Sequence, residues 1–117
     1  MEQVLTPLHG VDELDKALTD SHAQPLLLFK HSYSCGISAE ALDELRAHIE
    51  EQMPAAVKYA MVTVQTHREV SNEIAQRLGI RHETPQAILV KGGQVLWSAS
   101  HFHVNAAELS KALTAHF

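Results

Sequence analysis

The run Leu26-Leu27-Leu28-Phe29 constrains this chain more than any other feature. Pro25 closes it on one side and the polar stretch Lys30-His31-Ser32 on the other. A segment this short is no helix. An unbroken apolar run, as opposed to an alternating one, describes a strand covered on both faces. Such a strand belongs inside a sheet with helices above and below it.

The rest of the pattern supplies those layers. Val11 to Asp20 reads as an amphipathic helix with Val11, Leu14, Ala17 and Leu18 along one stripe. From Cys35 or Gly36 to about Met53 the period is again helical, through Ala41, Leu42, Leu45 and Ile49, with Pro54 just beyond. Val57 to Val64 is rich in β-branched residues and reads as a second strand. Thr66 with Glu69 forms a capping box for a helix through Val70, Ile74 and Leu78 that stops at Gly79. Gln86 to Lys91 and Gln94 to Ser98 are strands joined by Gly92-Gly93, a hairpin turn. Asn105 with Glu108 caps a last helix through Leu109, Ala112 and Leu113.

The expected order is αβαβαββα. A strand–helix–strand unit needs a parallel crossover, and the hairpin adds antiparallel strands to the same sheet. The fold class is therefore α/β, a three-layer α/β/α sandwich around a mixed sheet of four or five strands. At 117 residues there is room for one core, so residues 1–117 read as a single domain.

Charge narrows the partners. Fourteen Asp and Glu against nine Lys and Arg give a formal charge of −5, so no basic face offers itself to nucleic acid or an acidic membrane. No apolar run approaches the roughly 20 residues of a membrane span. The start, Met1-Glu2-Gln3, carries an acid where a secretion signal needs positive charge, which points to the cytoplasm. The nine histidines are scattered with no pair at the helical i, i+4 ligand spacing, so no metal site is assigned.

Cys35 is the single cysteine. A solitary Cys is usually a small core hydrophobe, and no intrachain disulfide or cysteine-based zinc site forms from one thiol. Its setting argues for reactivity instead. It stands between the first strand and the long helix, where unpaired amides and the helix dipole favour an anion. Lys30 and His31 are expected in the same loop, and Ser34, Ser38 and Tyr33 offer hydroxyl donors to the sulfur. Ser38 occupies the third position after Cys35. A second thiol there would resolve a mixed disulfide, and a hydroxyl does not. Cys35 therefore needs an external thiol for its regeneration.

Thr84-Pro85 forms the second half of the site. It precedes a strand, and X-Pro is the common place for a cis peptide. A cis proline beside the thiol would present the backbone of Thr84 to an extended substrate as an added strand. The hairpin returns Ser98 to His101 toward Pro85, where they would line a pocket for a thiol ligand.

Cys-x-x-Ser after a strand, Thr-Pro before a hairpin and the element order resemble the thioredoxin superfamily. More narrowly, Phe29 to Ser38, His82-Glu83-Thr84-Pro85-Gln86 and Ser98-Ala99-Ser100-His101 resemble the monothiol bacilliredoxin-like family of bacterial proteins. The resemblance runs over essentially the whole chain. It implies a thiol-disulfide oxidoreductase that removes bacillithiol from protein mixed disulfides. Cys35 would take the bacillithiol cap and free the client thiol, and free bacillithiol would regenerate Cys35. No bound cofactor is implied, only bacillithiol as co-substrate and bacillithiolated client proteins as partners. Lys30, His31, Ser34 and Ser38 would support the thiol, and Thr84, Pro85 and His101 would bind substrate.

Three other readings stand beside this one. Cys35-Gly36-Ile37-Ser38 differs by one residue from the Cys-Gly-Phe-Ser of monothiol glutaredoxins, which carry a [2Fe–2S] cluster between two subunits with glutathione. Their Gly-Gly-x-Asp pattern is absent, and Ser98-Ala99-Ser100-His101 stands in its place. A binding module without turnover would use the Pro85 edge alone. A thiol peroxidase would want an arginine in the Cys35 loop, which has none.

Overall fold

The computed structural model describes residues 5–51 and 56–116. Its strands are β1 (Leu5–Pro7), β2 (Leu26–His31), β3 (Lys58–Thr63), β4 (Gln86–Lys91) and β5 (Gln94–Ser100). Its helices are α1 (Val11–Asp20), α2 (Gly36–Glu51), α3 (Arg68–Leu78) and α4 (Ala106–His116), with a 3-10 turn over His101–His103. The five strands form one mixed sheet in the order β1-β3-β2-β4-β5. β1, β3 and β2 run parallel, and β4 and β5 run antiparallel to the neighbours they join.

β2 lies at the centre, as its apolar run requires. Its alternate residues serve two cores. Leu27 and Phe29 pack with Ala41, Leu45 and Ile49 of α2 and Leu109 of α4. Leu26 and Leu28 pack with Leu14 of α1 and Val70 and Ile74 of α3. That is the expected three-layer arrangement, with two helices on each face.

Local signals explain most boundaries. Gly92 and Gly93 both take positive φ, 60° and 77°, in the turn between β4 and β5. Gly79 takes φ 62° and closes α3 as a left-handed cap. The Asn105 carboxamide accepts the Glu108 N–H at 2.9 Å, capping α4. The expected end of α2 near Met53 and Pro54 lies outside the described residues.

Three readings change. β1 adds a short strand at the sheet edge, pairing Leu5 with Tyr59 and Pro7 with Met61. The capping box at Thr66 and Glu69 is not formed: His67 holds the cap position of α3. Thr66 Oγ1 instead donates to the Thr63 carbonyl at 3.4 Å and lies 2.8 Å from His67 Nδ1. Lys30 and His31 are strand residues, the last two of β2, and not part of the loop.

Candidate active site

The polypeptide leaves β2 at His31 and reaches α2 through Ser32-Tyr33-Ser34-Cys35. The Cys35 carbonyl accepts the Ala39 N–H at 3.1 Å, so Cys35 occupies the cap position of α2. Its half-buried sulfur therefore stands at the positive end of the helix dipole. The Cys35 amide itself donates to the Ser32 carbonyl at 3.3 Å, which folds the loop back on itself.

Two side chains hold this loop. Ser38 is completely buried, and its hydroxyl accepts the Ser32 N–H at 2.9 Å and lies 2.8 Å from His31 Nδ1. With one lone pair facing the Ser32 amide, the hydroxyl proton is directed to His31 when that imidazole is neutral. Burial, and then the Arg46 cation, lower the pKa of His31 and favour that neutral form. The His31 ring also stacks on Phe29, its centroid 6.0 Å away on the same face of β2. The second support is Gln65, just beyond β3. Its Nε2 donates to Ser32 Oγ and, at 3.0 Å, to Ser34 Oγ, and its Oε1 accepts the Tyr33 N–H at 3.3 Å.

These bonds redirect the expected donors. Ser34 and Ser38 hydrogen-bond within this scaffold: Ser34 with Gln65 and Ser32, Ser38 with His31 and Ser32. Among the described residues no side-chain hydrogen bond runs from either hydroxyl to the Cys35 sulfur. Gln65 was not anticipated. The β2–β3 register places His31 opposite Thr63, so a residue two beyond Thr63 meets the loop, and only the register carries that signal.

Lys30 departs furthest from expectation. It is 0% exposed and follows Leu26 and Leu28 onto the face covered by α1 and α3. Its Nζ lies 3.0 Å from His82 Nδ1, which is also 3.4 Å from Ser71 Oγ of α3. Burial lowers the Lys30 pKa to about 8. Burial, then the Lys30 and Arg68 cations, lower that of His82. Lys30 thus ties the segment ahead of Pro85 to the sheet, on the face opposite α2.

Thr84-Pro85 is a cis peptide. Lys30 pairs with Gln86 across β2 and β4, which sets Pro85 beside the end of β2 where the Cys35 loop begins. The Pro85 carbonyl accepts the His101 N–H at 2.9 Å. His101 adopts φ 56°, and its Nδ1 lies 3.9 Å from Glu83 Oε1. His101 also borders a groove of about 430 Å³ whose other wall is the first half of α2, from Ile37 to Glu44. The structure thus gathers Cys35, Pro85 and His101 at one end of the sheet, with Ser38 and His31 beneath the loop. No described helix is long and apolar enough to cross a membrane.

The architecture recurs in solved structures. A thioredoxin-fold protein described as a candidate oxidoreductase is 27% identical, with 94% of each chain covered and a TM-score of 0.84. The thioredoxin of Fasciola hepatica is 18% identical over 97% of this chain and 100% of that one, with a TM-score of 0.78. That of Trypanosoma brucei brucei is 15% identical over 96% and 89%, with a TM-score of 0.77. The latter two show the fold alone, and the fold is that of thioredoxin. Residues 6–109 match the model of the monothiol bacilliredoxin BrxC family, so the chain belongs to that family.

Proposed function

We propose that this protein is a monothiol oxidoreductase that removes bacillithiol from client proteins through Cys35. The observation that carries this reading is the cap position of Cys35 with a hydroxyl, not a thiol, three residues on. Family membership and the thioredoxin fold support the thiol-oxidoreductase role.

The exchange takes two steps. The Cys35 thiolate attacks the bacillithiol sulfur of the client mixed disulfide; that S–S bond breaks, and the client sulfur leaves as a thiolate and takes up a proton. Ser38 is unable to attack the new Cys35–bacillithiol disulfide. A second bacillithiol, as its thiolate, attacks the bacillithiol sulfur on Cys35, forming bacillithiol disulfide and releasing the Cys35 thiolate. Over both steps, the client mixed disulfide and one free bacillithiol thiol give the client thiol and bacillithiol disulfide, so that free thiol is the reductant consumed and no bound cofactor is needed. The helix dipole places positive potential at the start of α2, where Cys35 attacks in the first step and departs in the second. The backbone of Thr84 beside Pro85 pairs with the extended client, and His101 borders the ligand. Dependence on a free low-molecular-weight thiol suits a reducing compartment such as the cytoplasm.

Intact mass tests this directly. The reduced protein and its Cys35→Ser variant are exposed separately to the disulfides of bacillithiol, glutathione and coenzyme A. A rapid single adduct with bacillithiol, absent from the variant, is the expected result. Preference for glutathione would move the assignment to a glutaredoxin-type carrier. A thiol untouched by all three would end the redox reading.

A further inference from the structure

The groove against α2 has a chemistry of its own. Ile37, Ala41 and Val104 give it an apolar floor, and Phe102 stands 68% exposed at its rim. Glu40 and Asp43 line the α2 wall, both exposed, and among the described residues neither carboxylate has a hydrogen bond or an ion pair. The Glu44 carboxylate is committed, accepting the Ala106 N–H at 2.8 Å. Among the described residues no lysine or arginine lines the groove. Two free carboxylates beside an exposed aromatic ring match a guanidinium or ammonium group, by ion pairing and by cation–π contact.

Thiol chemistry supplies such an occupant. Protein cysteines enter mixed disulfides as thiolates, and thiolates form beside lysine and arginine. A client's modified cysteine therefore arrives with cations close to it in space. Ile37, two residues beyond Cys35, forms one end of the groove, so those cations meet its carboxylates while the disulfide meets Cys35.

We propose that this groove is the client-docking surface, and that Glu40 and Asp43 select mixed disulfides flanked by lysine or arginine. The inference rests on the exchange reading of Cys35 and adds the class of client.

Two short peptides capped with the same bacillithiol test it, one with lysines flanking the cysteine and one with glutamates. Rates with the protein are divided by rates with dithiothreitol, because a cation beside the leaving thiol speeds exchange by itself. The wild type is expected to prefer the lysine peptide by about fivefold in normalised kcat/KM, with the preference shrinking at high salt. The Glu40→Lys, Asp43→Lys double variant, its fold checked by circular dichroism, is expected to lose or invert that preference. Equal normalised rates in the wild type overturn the inference, as does a preference the variant retains. Failure of wild-type Cys35 to react with either peptide would instead refute the exchange reading itself.

Discussion

Ser38→Ala removes one oxygen and tests whether the Cys35 loop is held from below. The hydroxyl is completely buried and serves two groups, the Ser32 amide at 2.9 Å and His31 Nδ1 at 2.8 Å. Each such bond contributes about 0.5–1.5 kcal/mol net, and a buried donor left unpaired costs about 1–3 kcal/mol. Ser32 and His31 are half-buried, so water reaches them in part and the lower half of that range applies. Alanine recovers about 0.5 kcal/mol of helix propensity at this position in α2. The balance is a loss of about 0.5–1.5 kcal/mol, or about 2–8 °C in Tm for a domain of this size. Ser34→Ala is the control, because Ser34 is exposed and its bond to Gln65 is open to water; it should cost under about 0.5 kcal/mol. Urea unfolding at neutral pH, with reductant present, reads both variants. An Ser38→Ala midpoint equal to that of the wild type, or a larger loss from Ser34→Ala, would refute the account of the loop.

Further outcomes follow from the same network. Ser38→Cys should form a disulfide with Cys35 under mild oxidation, seen as the loss of two hydrogens in intact mass, and should release bacillithiol from its Cys35 mixed disulfide without added low-molecular-weight thiol. Lys30→Met should stabilise the protein at neutral pH by about 2 kcal/mol, because burial of the ammonium lowers its pKa from 10.5 to about 8. The wild type should then gain stability as pH rises from about 8 toward 10.5, where the unfolded chain holds the proton more tightly than the fold, and the gap should close. A gap independent of pH would show that the charge is not the cause. His48 is buried with Tyr59 Oη at 2.9 Å and Ser110 Oγ at 3.1 Å, and burial lowers its pKa against a smaller opposing pull from Glu51. Its contribution is present above the unfolded value near 6.5 and is lost as pH falls through the folded one, so His48→Phe should flatten the acid limb of a denaturation-versus-pH curve.

Much of the fold was legible because its signals are local. The run at Leu26 to Phe29, the glycine pair at 92–93 and the Asn105 cap each act within a few residues, and each appears where expected. β1 was not legible. Leu5-Thr6-Pro7 carries no strand pattern in three residues, and it becomes a strand only because the edge of β3 offers it partners. Thr66 failed as a cap for a similar reason. Its hydroxyl found the Thr63 carbonyl and the His67 ring nearby, and α3 began one residue later.

The site was legible in its members and not in their directions, and β2 shows why. Lys30 and His31 read as two bases of one loop, both near Cys35. Once β2 runs on to His31, the period of two decides everything: Leu26, Leu28 and Lys30 face α1 and α3, while Leu27, Phe29 and His31 face α2. The alternation was present in the sequence, but a lysine ending an apolar run reads as the point where burial stops. Here burial continues, because His82, itself within reach of Ser71, meets the ammonium on the far face. The consequence is a division of labour across one strand. His31, through Ser38, holds the loop that carries Cys35, and Lys30, through His82, holds the segment that carries Pro85. A one-residue slip of β2 would exchange the two and leave neither half of the site supported.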